Sequence, residues 1–194
     1  MQFENICNSV NNWYQAWLFR AYNRNLHKHQ CMVWNWKLTT DDQTDKVFRH
    51  SDLDDINWRD DLHPIFRTVY ERVLALEPRA HRVVRIGLNG MTKGDFSMIH
   101  VDQELENPTR SFVLYCNSEW QDEWGGETYF VKKEGWKNLA MTGYDDISPD
   151  DITFTNKVEP GNCIGFNALY PHAISPTSID RIRLTYNIIF EIKY

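Results

Sequence analysis

The chain has 194 residues, the size of one domain, and its 8 Trp, 9 Tyr and 10 Phe supply enough large apolar side chains for a core without help from disulfides or oligomerisation. A formal net charge of −6 argues against broad attraction to nucleic-acid backbones or anionic lipid. Cys7, Cys31, Cys116 and Cys163 lie far apart with no CxxC spacing, against a zinc knuckle or a dense disulfide framework, and are expected to be reduced and structural.

The opening MQFENICNSVNNWYQAWLF has no basic segment followed by a continuous apolar stretch, and no run approaches 18 apolar residues, so a soluble, cytoplasmic protein away from membranes is expected. Trp13, Trp17 and Leu18 suggest a helix over Val10 to Ala21, Cys31 to Leu38 alternates like a strand, and the acidic stretch Thr39 to Asp55 reads as a loop. From Asp60 to Leu76, apolar residues Leu62, Ile65, Phe66, Val69, Val73 and Leu76 recur at helical spacing, with Pro78 just beyond, predicting an amphipathic helix.

Near residue 80 the character changes to short strands separated by turn residues. The predicted strands are Arg82 to Leu88, Phe96 to His100, Arg110 to Asn117, Glu127 to Lys132, Ile152 to Phe154, Cys163 to Asn167 and Arg181 to Glu191. In the last, Ile182, Leu184, Tyr186, Ile188 and Phe190 fall on one face, and Arg181, Arg183, Thr185 and Asn187 fall on the other, which borders solvent or a polar cavity. The pattern predicts a mainly β fold with flanking helices, a double-stranded β-helix of the jelly-roll, cupin-like kind. Residues 1–80 are expected to be supporting helices and a strand of the same domain, and residues 81–194 its core.

His100 and Asp102 stand two apart in MIHVDQE, so in extended chain both project to the same side. His172, in LYPHAISP, is placed where a neighbouring strand could supply a third ligand. Two histidines and a carboxylate on one face of an octahedron leave three positions open, as in non-haem iron(II) oxygenases. His27, His29, His50, His63 and His81 lack a carboxylate at ligand spacing within a strand pattern.

Over residues 82–191 the sequence resembles the 2-oxoglutarate/iron(II) dioxygenase superfamily, and within it the prolyl-hydroxylase branch. His100-Val101-Asp102 is similar to the family's HxD. Trp124-Gly125-Gly126-Glu127 resembles its GGE turn. Glu159-Pro160-Gly161 followed by Ile164-Gly165-Phe166-Asn167 resembles the stretch before its distal histidine, here His172. The resemblance implies iron(II) on His100, Asp102 and His172, 2-oxoglutarate as cosubstrate, and ascorbate as a candidate auxiliary reductant.

The far carboxylate of 2-oxoglutarate needs a buried partner, and a guanidinium offers two parallel charge-assisted hydrogen bonds. In the hypoxia-sensing prolyl hydroxylases this arginine follows the distal histidine by nine residues, aided by a threonine and a tyrosine. By resemblance these are Arg181, Thr185 and Tyr115, the last within Tyr115-Cys116-Asn117-Ser118-Glu119-Trp120. Arg183 shares the strand face of Arg181, so either could be the clamp, with spacing and Thr185 favouring Arg181. Collagen-type hydroxylases instead place a lysine ten residues past the histidine, where this chain has Ile182. Asp102 argues against halogenation, which requires a small residue in place of the carboxylate.

The activity the resemblance implies is hydroxylation of a C–H bond, giving succinate and carbon dioxide, with prolyl residues of a protein or peptide as the expected substrate. A free amino acid or small molecule is an alternative. Nucleic-acid dealkylation is another, because Arg181 to Asn187 faintly resembles RxNLTxR, although Asn187 replaces the final arginine and the acidic charge opposes it. A non-catalytic, cupin-like metal-binding module is the alternative of a different class. The loops Gln103 to Thr109, Asn117 to Glu123 and Lys133 to Asp151 are expected to rim the mouth.

Overall fold

The computed structural model describes residues 26–27, 31–32, 34–38, 51–54, 56–60, 62–102, 107–134 and 147–193. The helix expected over Val10 to Ala21, most of the polar stretch between residues 39 and 55, and most of the expected rim loops 103–109 and 133–151 lie outside the described residues. No described helix is long and apolar enough to cross a membrane.

Twelve strands and one α-helix are described, in the order β1 (Leu26–His27), β2 (Cys31–Met32), β3 (Trp34–Lys37), β4 (Ser51–Asp52), α1 (Ile65–Leu74), β5 (Ala80–Met91), β6 (Ser97–His100), β7 (Thr109–Tyr115), β8 (Thr128–Val131), β9 (Ile152–Asn156), β10 (Cys163–Asn167), β11 (His172–Ile174) and β12 (Arg183–Ile192), with short 3-10 turns at Asp122–Trp124 and Pro149–Asp151. They form two antiparallel sheets. One runs β1-β2-β6-β11-β8-β9 and the other β10-β7-β12-β5-β3, with β4 also on β5. This is the double-stranded β-helix expected from the spacing of short strands.

Helix α1 starts later than the apolar periodicity alone suggests. Pro64 sits at its N-cap, the residue before a proline is disfavoured in helical conformation, and the Ile65 N–H is taken by His63 Nδ1 at 3.2 Å. Asp60, Leu62 and His63 therefore stay outside the helix. The buried face of α1, Ile65, Phe66, Val69, Tyr70 and Val73, covers the outer face of the second sheet. There it meets Val83, Ile86 and Leu88 of β5, Phe112 and Leu114 of β7, and Leu184, Tyr186, Ile188 and Phe190 of β12. Tyr186 donates its hydroxyl hydrogen to the Phe66 carbonyl at 3.0 Å, so the buried phenol is satisfied.

Putting the even residues of β12 into this core turns Arg183, Thr185 and Asn187 into the space between the sheets, because side chains alternate along a strand. The polar face of this strand thus borders a cavity and not solvent. On the first sheet, Thr128 faces the same cavity, and Ile99, Tyr129, Val131, Ile147 and Ala173 form a separate cluster.

Candidate metal and cosubstrate site

His100 ends β6 and His172 begins β11. The two strands are antiparallel neighbours with these residues as direct partners, which brings the rings to 4.4 Å between centroids. Just past β6, the Asp102 N–H donates to the Ala168 carbonyl at 3.0 Å, tying the strand end in place while the carboxylate turns inward. Asp102 Oδ1 lies 3.8 Å from His100 Nε2 and 3.6 Å from His172 Nε2, and one ligand atom from each residue falls within 4.8 Å of the others.

The other nitrogen of each ring is already committed. His100 Nδ1 hydrogen-bonds the Met98 carbonyl at 2.8 Å and His172 Nδ1 the Tyr170 carbonyl at 2.9 Å. With Nδ1 donating, each ring presents an unprotonated Nε2 to the shared point, the outer-sphere arrangement typical of metal-ligating histidines. Burial, with His172 beside it, pushes the His100 imidazole down to about 4, against the opposing pull of Asp102. Burial alone would raise the Asp102 carboxyl, but the two imidazoles hold it below its ordinary value. Two imidazole nitrogens and a carboxylate oxygen fit a divalent metal ion.

From this cluster a cleft of about 490 Å³, counted out to solvent, runs between the sheets to Arg183. That side chain is 1% exposed. Its Nε donates to the Gly126 carbonyl at 2.7 Å, one terminal nitrogen donates to Thr128 Oγ1 at 3.2 Å, and the guanidinium lies 5.1 Å from the Tyr115 ring centre. Tyr115 itself is buried, with its hydroxyl 3.0 Å from Thr128 Oγ1 and accepting from Asn156 Nδ2 at 3.1 Å. Among the described residues no carboxylate forms an ion pair with Arg183, and burial lowers its pKa. Glu127, the nearby acid, is engaged by the Ser175 hydroxyl. A buried cation without a counter-ion is costly, and an anionic ligand would relieve it.

The turn before β8 makes room for this arginine. Gly125 and Gly126 both have positive φ, 69° and 81°. A Cβ on Gly126 would lie 2.8 Å from Arg183 Cδ, and one on Gly125 would lie 2.2 Å from the Pro176 carbonyl oxygen. Both glycines are therefore required by backbone conformation and by close approach.

The structure separates Arg181, the clamp favoured from the sequence, from the cleft that Arg183 lines. Arg181 precedes β12, its side chain is 51% exposed, it pairs with Glu119, and its guanidinium lies 5.0 Å over Trp124. It does not line the cleft, which Arg183 and Thr185 do. The strand enters the sheet only at Arg183, so the residue two earlier, although of the same parity, remains on the surface. The loop carrying Glu119 follows the Tyr115 end of β7.

The structure adds lining residues that sequence reasoning did not single out: Arg85 and Asn89 on β5, Ser111 on β7 and Thr128 on β8. Thr128 could have been reached by alternation from the glycine turn. Arg85 could not, since a charged residue in an alternating strand usually faces water.

The family model of the 2OG-Fe(II) oxygenase superfamily matches residues 86–190, more than half of the chain. No curated protein matches the sequence. Among solved structures, a Pseudomonas putida prolyl-4-hydroxylase is 14% identical, covering 98% of this chain and 88% of that one, with a TM-score of 0.61. HygX from Streptomyces hygroscopicus, with nickel and 2-oxoglutarate bound, is 12% identical, covering 98% and 80%, with a TM-score of 0.60. A Trichoplax adhaerens prolyl hydroxylase in complex with a hypoxia inducible factor peptide fragment is 12% identical, covering 98% and 78%, with a TM-score of 0.56. At these identities the likeness is one of fold, while the family match extends through both histidines, Asp102 and Arg183. The chain belongs to the 2OG-Fe(II) oxygenase superfamily and is a non-haem iron(II)- and 2-oxoglutarate-dependent dioxygenase.

Proposed function

We propose that this protein hydroxylates prolyl residues in a protein or peptide, with iron(II) held by His100, Asp102 and His172 and the far carboxylate of 2-oxoglutarate held by Arg183. The observation that carries the assignment of the clamp is the buried guanidinium, unpaired by any described carboxylate and lining the same cleft as the three ligand side chains. The dicarboxylate cosubstrate would complete its charge balance.

Bound iron(II) with 2-oxoglutarate supplies the activation of dioxygen that ends with a hydroxyl on substrate carbon and with succinate and carbon dioxide. The chain's own residues do the rest. His100, Asp102 and His172 would hold the metal through two imidazole nitrogens and a carboxylate oxygen. Gly126 and Thr128 accept hydrogen bonds from the Arg183 guanidinium, Met91 Sδ lies 3.8 Å from its other terminal nitrogen, and the Tyr115 ring lies against it, which together fix its plane. Thr185, beside Arg183 on the same face of β12, adds a hydroxyl to the cosubstrate bed.

The prolyl reading is supported by the order of the HxD, GGE and Tyr-x-Asn-x-acidic-Trp motifs, which resembles the prolyl-hydroxylase branch. Purified protein, loaded with iron(II) without oxygen and then given oxygen and 2-oxoglutarate, is expected to form succinate and to add 16 Da to a proline-containing peptide. Succinate formation that no proline peptide stimulates, together with stimulation by a free amino acid, would overturn the peptide assignment and leave the enzyme class intact.

A further inference from the structure

Arg85 lines the same cleft as His100, Asp102, His172 and Arg183, but at a different level of the sheet. Met91 of β5 pairs with Arg183 of β12, and Arg85 pairs with Ile189. Six residues separate the two pairs, roughly 20 Å of strand. Arg183 is tied to Gly126 and Thr128 at its own end, so a five-carbon dicarboxylate held there leaves Arg85 for another ligand. The Arg85 charge is felt at the metal cluster. Burial and His172 lower the His100 imidazole most, and Arg85 adds to them. Against burial, the two imidazoles lower the Asp102 carboxyl, helped by the Ser111 hydroxyl and by Arg85.

A β-bulge aims this side chain. Ile189 pairs with Arg85 and Phe190 with Val83, which leaves Val84 as an extra residue of β5. Val83 and Ile86 pack into the core under α1, whereas Val84 is buried against Ile189 and Ala168. The bulge thus turns both Val84 and Arg85 to the cleft side of the sheet. On the other flank of β12, Ile189 pairs with Ser111 of β7, which is 1% exposed. The Ser111 hydroxyl lies close enough to Asp102 to act on its charge, yet at hydrogen-bond distance from no partner among the described residues. Three neighbouring strands therefore present, in one row, a guanidinium, an apolar floor and a buried hydroxyl. The Ala168 carbonyl, which accepts the Asp102 N–H, joins that floor to the metal ligands.

We propose that a carboxylate of the hydroxylated substrate docks over Ile189, taken by the Arg85 guanidinium and the Ser111 hydroxyl, and that this anchor sets which C–H bond faces the metal. A guanidinium offers a carboxylate two parallel N–H donors, and a hydroxyl across the floor supplies a third. Ile189, Val84 and Ala168 give the aliphatic carbons of the same group an apolar bed. The carboxylate belongs to an acidic residue or the chain end of a peptide, or to a free amino acid, and the test separates these sources. The inference rests on the iron and 2-oxoglutarate assignment above and deepens the prolyl reading by adding a charge requirement to the substrate.

The test uses the full chain loaded with manganese(II) and 2-oxoglutarate, titrated calorimetrically with matched pairs of acids and amides. The pairs are an acetylated proline tripeptide with a free or an amidated end, an amidated proline tripeptide carrying aspartate or asparagine, free proline or prolinamide, and acetylated trialanine or its amide. In at least one pair the acid is expected to bind about tenfold or more tightly than its neutral counterpart. Arg85→Gln should abolish that preference, and Arg85→Lys, which keeps the charge without the fork, should keep part of it; melting curves check that both variants fold. Acids and amides that behave alike with the wild type, or a preference that survives in both variants, would overturn the proposal. So would a loss of 2-oxoglutarate affinity in folded Arg85→Gln as large as that in Arg183→Ala, because Arg85 would then serve the cosubstrate. An Arg85-dependent preference confined to proline-free acids overturns the prolyl reading and leaves the anchor standing. Hydroxylation of neutral proline peptides with kcat/KM untouched by Arg85→Gln does the reverse.

Discussion

Arg181 and Arg183 are separated by one residue and by the protein surface. Arg183→Ala removes both hydrogen-bonding edges of the proposed clamp, and a roughly hundredfold rise in the 2-oxoglutarate KM is expected, the scale of losing one partner of a buried charged pair. Arg181→Ala removes an exposed ion pair with Glu119, worth about 1 kcal/mol at most, and should change that KM by less than about threefold. Steady-state succinate assays on the two variants check both, and equal effects would remove the distinction between them. His100→Ala takes one of three donors and leaves a gap that the hydrogen-bonded His172 cannot reach around, so iron binding and succinate formation should both be lost. Anaerobic iron titration reads the first independently of turnover.

At the scale of elements, the glycine turn before β8 connects backbone conformation to the clamp. In Gly126→Ala a methyl group must occupy a position 2.8 Å from Arg183 Cδ at a φ of 81°. A loss of about 1–3 kcal/mol in stability is expected, with a rise in 2-oxoglutarate KM as the guanidinium is displaced. Denaturant unfolding and cosubstrate titration measure the two parts. Helix α1 acts differently, as a cover for the outer face of the second sheet. Phe66 is fully buried there, with its ring 6.1 Å from Tyr186, and Phe66→Ala should cost about 3–5 kcal/mol. Because Tyr186 and Arg183 lie on opposite faces of β12, a folded Phe66→Ala protein should retain its 2-oxoglutarate affinity.

For the whole molecule, the cluster of His100, Asp102 and His172 also sets a pH window. The folded chain holds His100 neutral down to about 4, whereas an unfolded imidazole takes up a proton near 6.5. Between those values the unfolded state binds more protons, so the metal-free protein should lose stability as pH falls from about 6.5 towards 4. Melting curves across that range check this, and His100→Asn should flatten the dependence. With divalent metal bound, the melting temperature should rise throughout, as for any ligand that binds only the folded state.

Much of this architecture was legible locally. The strand Cys163–Asn167 has the bounds expected for it, and the periodic face of α1 is the face that is buried. The spacing of His100 and Asp102 places them on one side of a strand end, and the two faces of β12 separate core from cavity. These depend on residues near one another in sequence, for which side-chain geometry follows from backbone period alone. The start of α1 was also written locally, in Pro64, but periodicity masked it. The partnership of His172 with His100 depends on two strands meeting across 71 intervening positions, and the short β11 that carries it has too few residues to show a period. The choice between Arg181 and Arg183 was beyond sequence for a similar reason. Both share one face by parity, and only the sheet decides where the strand begins to be covered. β7 and β8 bring Tyr115, Thr128 and Gly126 to Arg183, while Arg181 is left beside Glu119 and Trp124 at the surface.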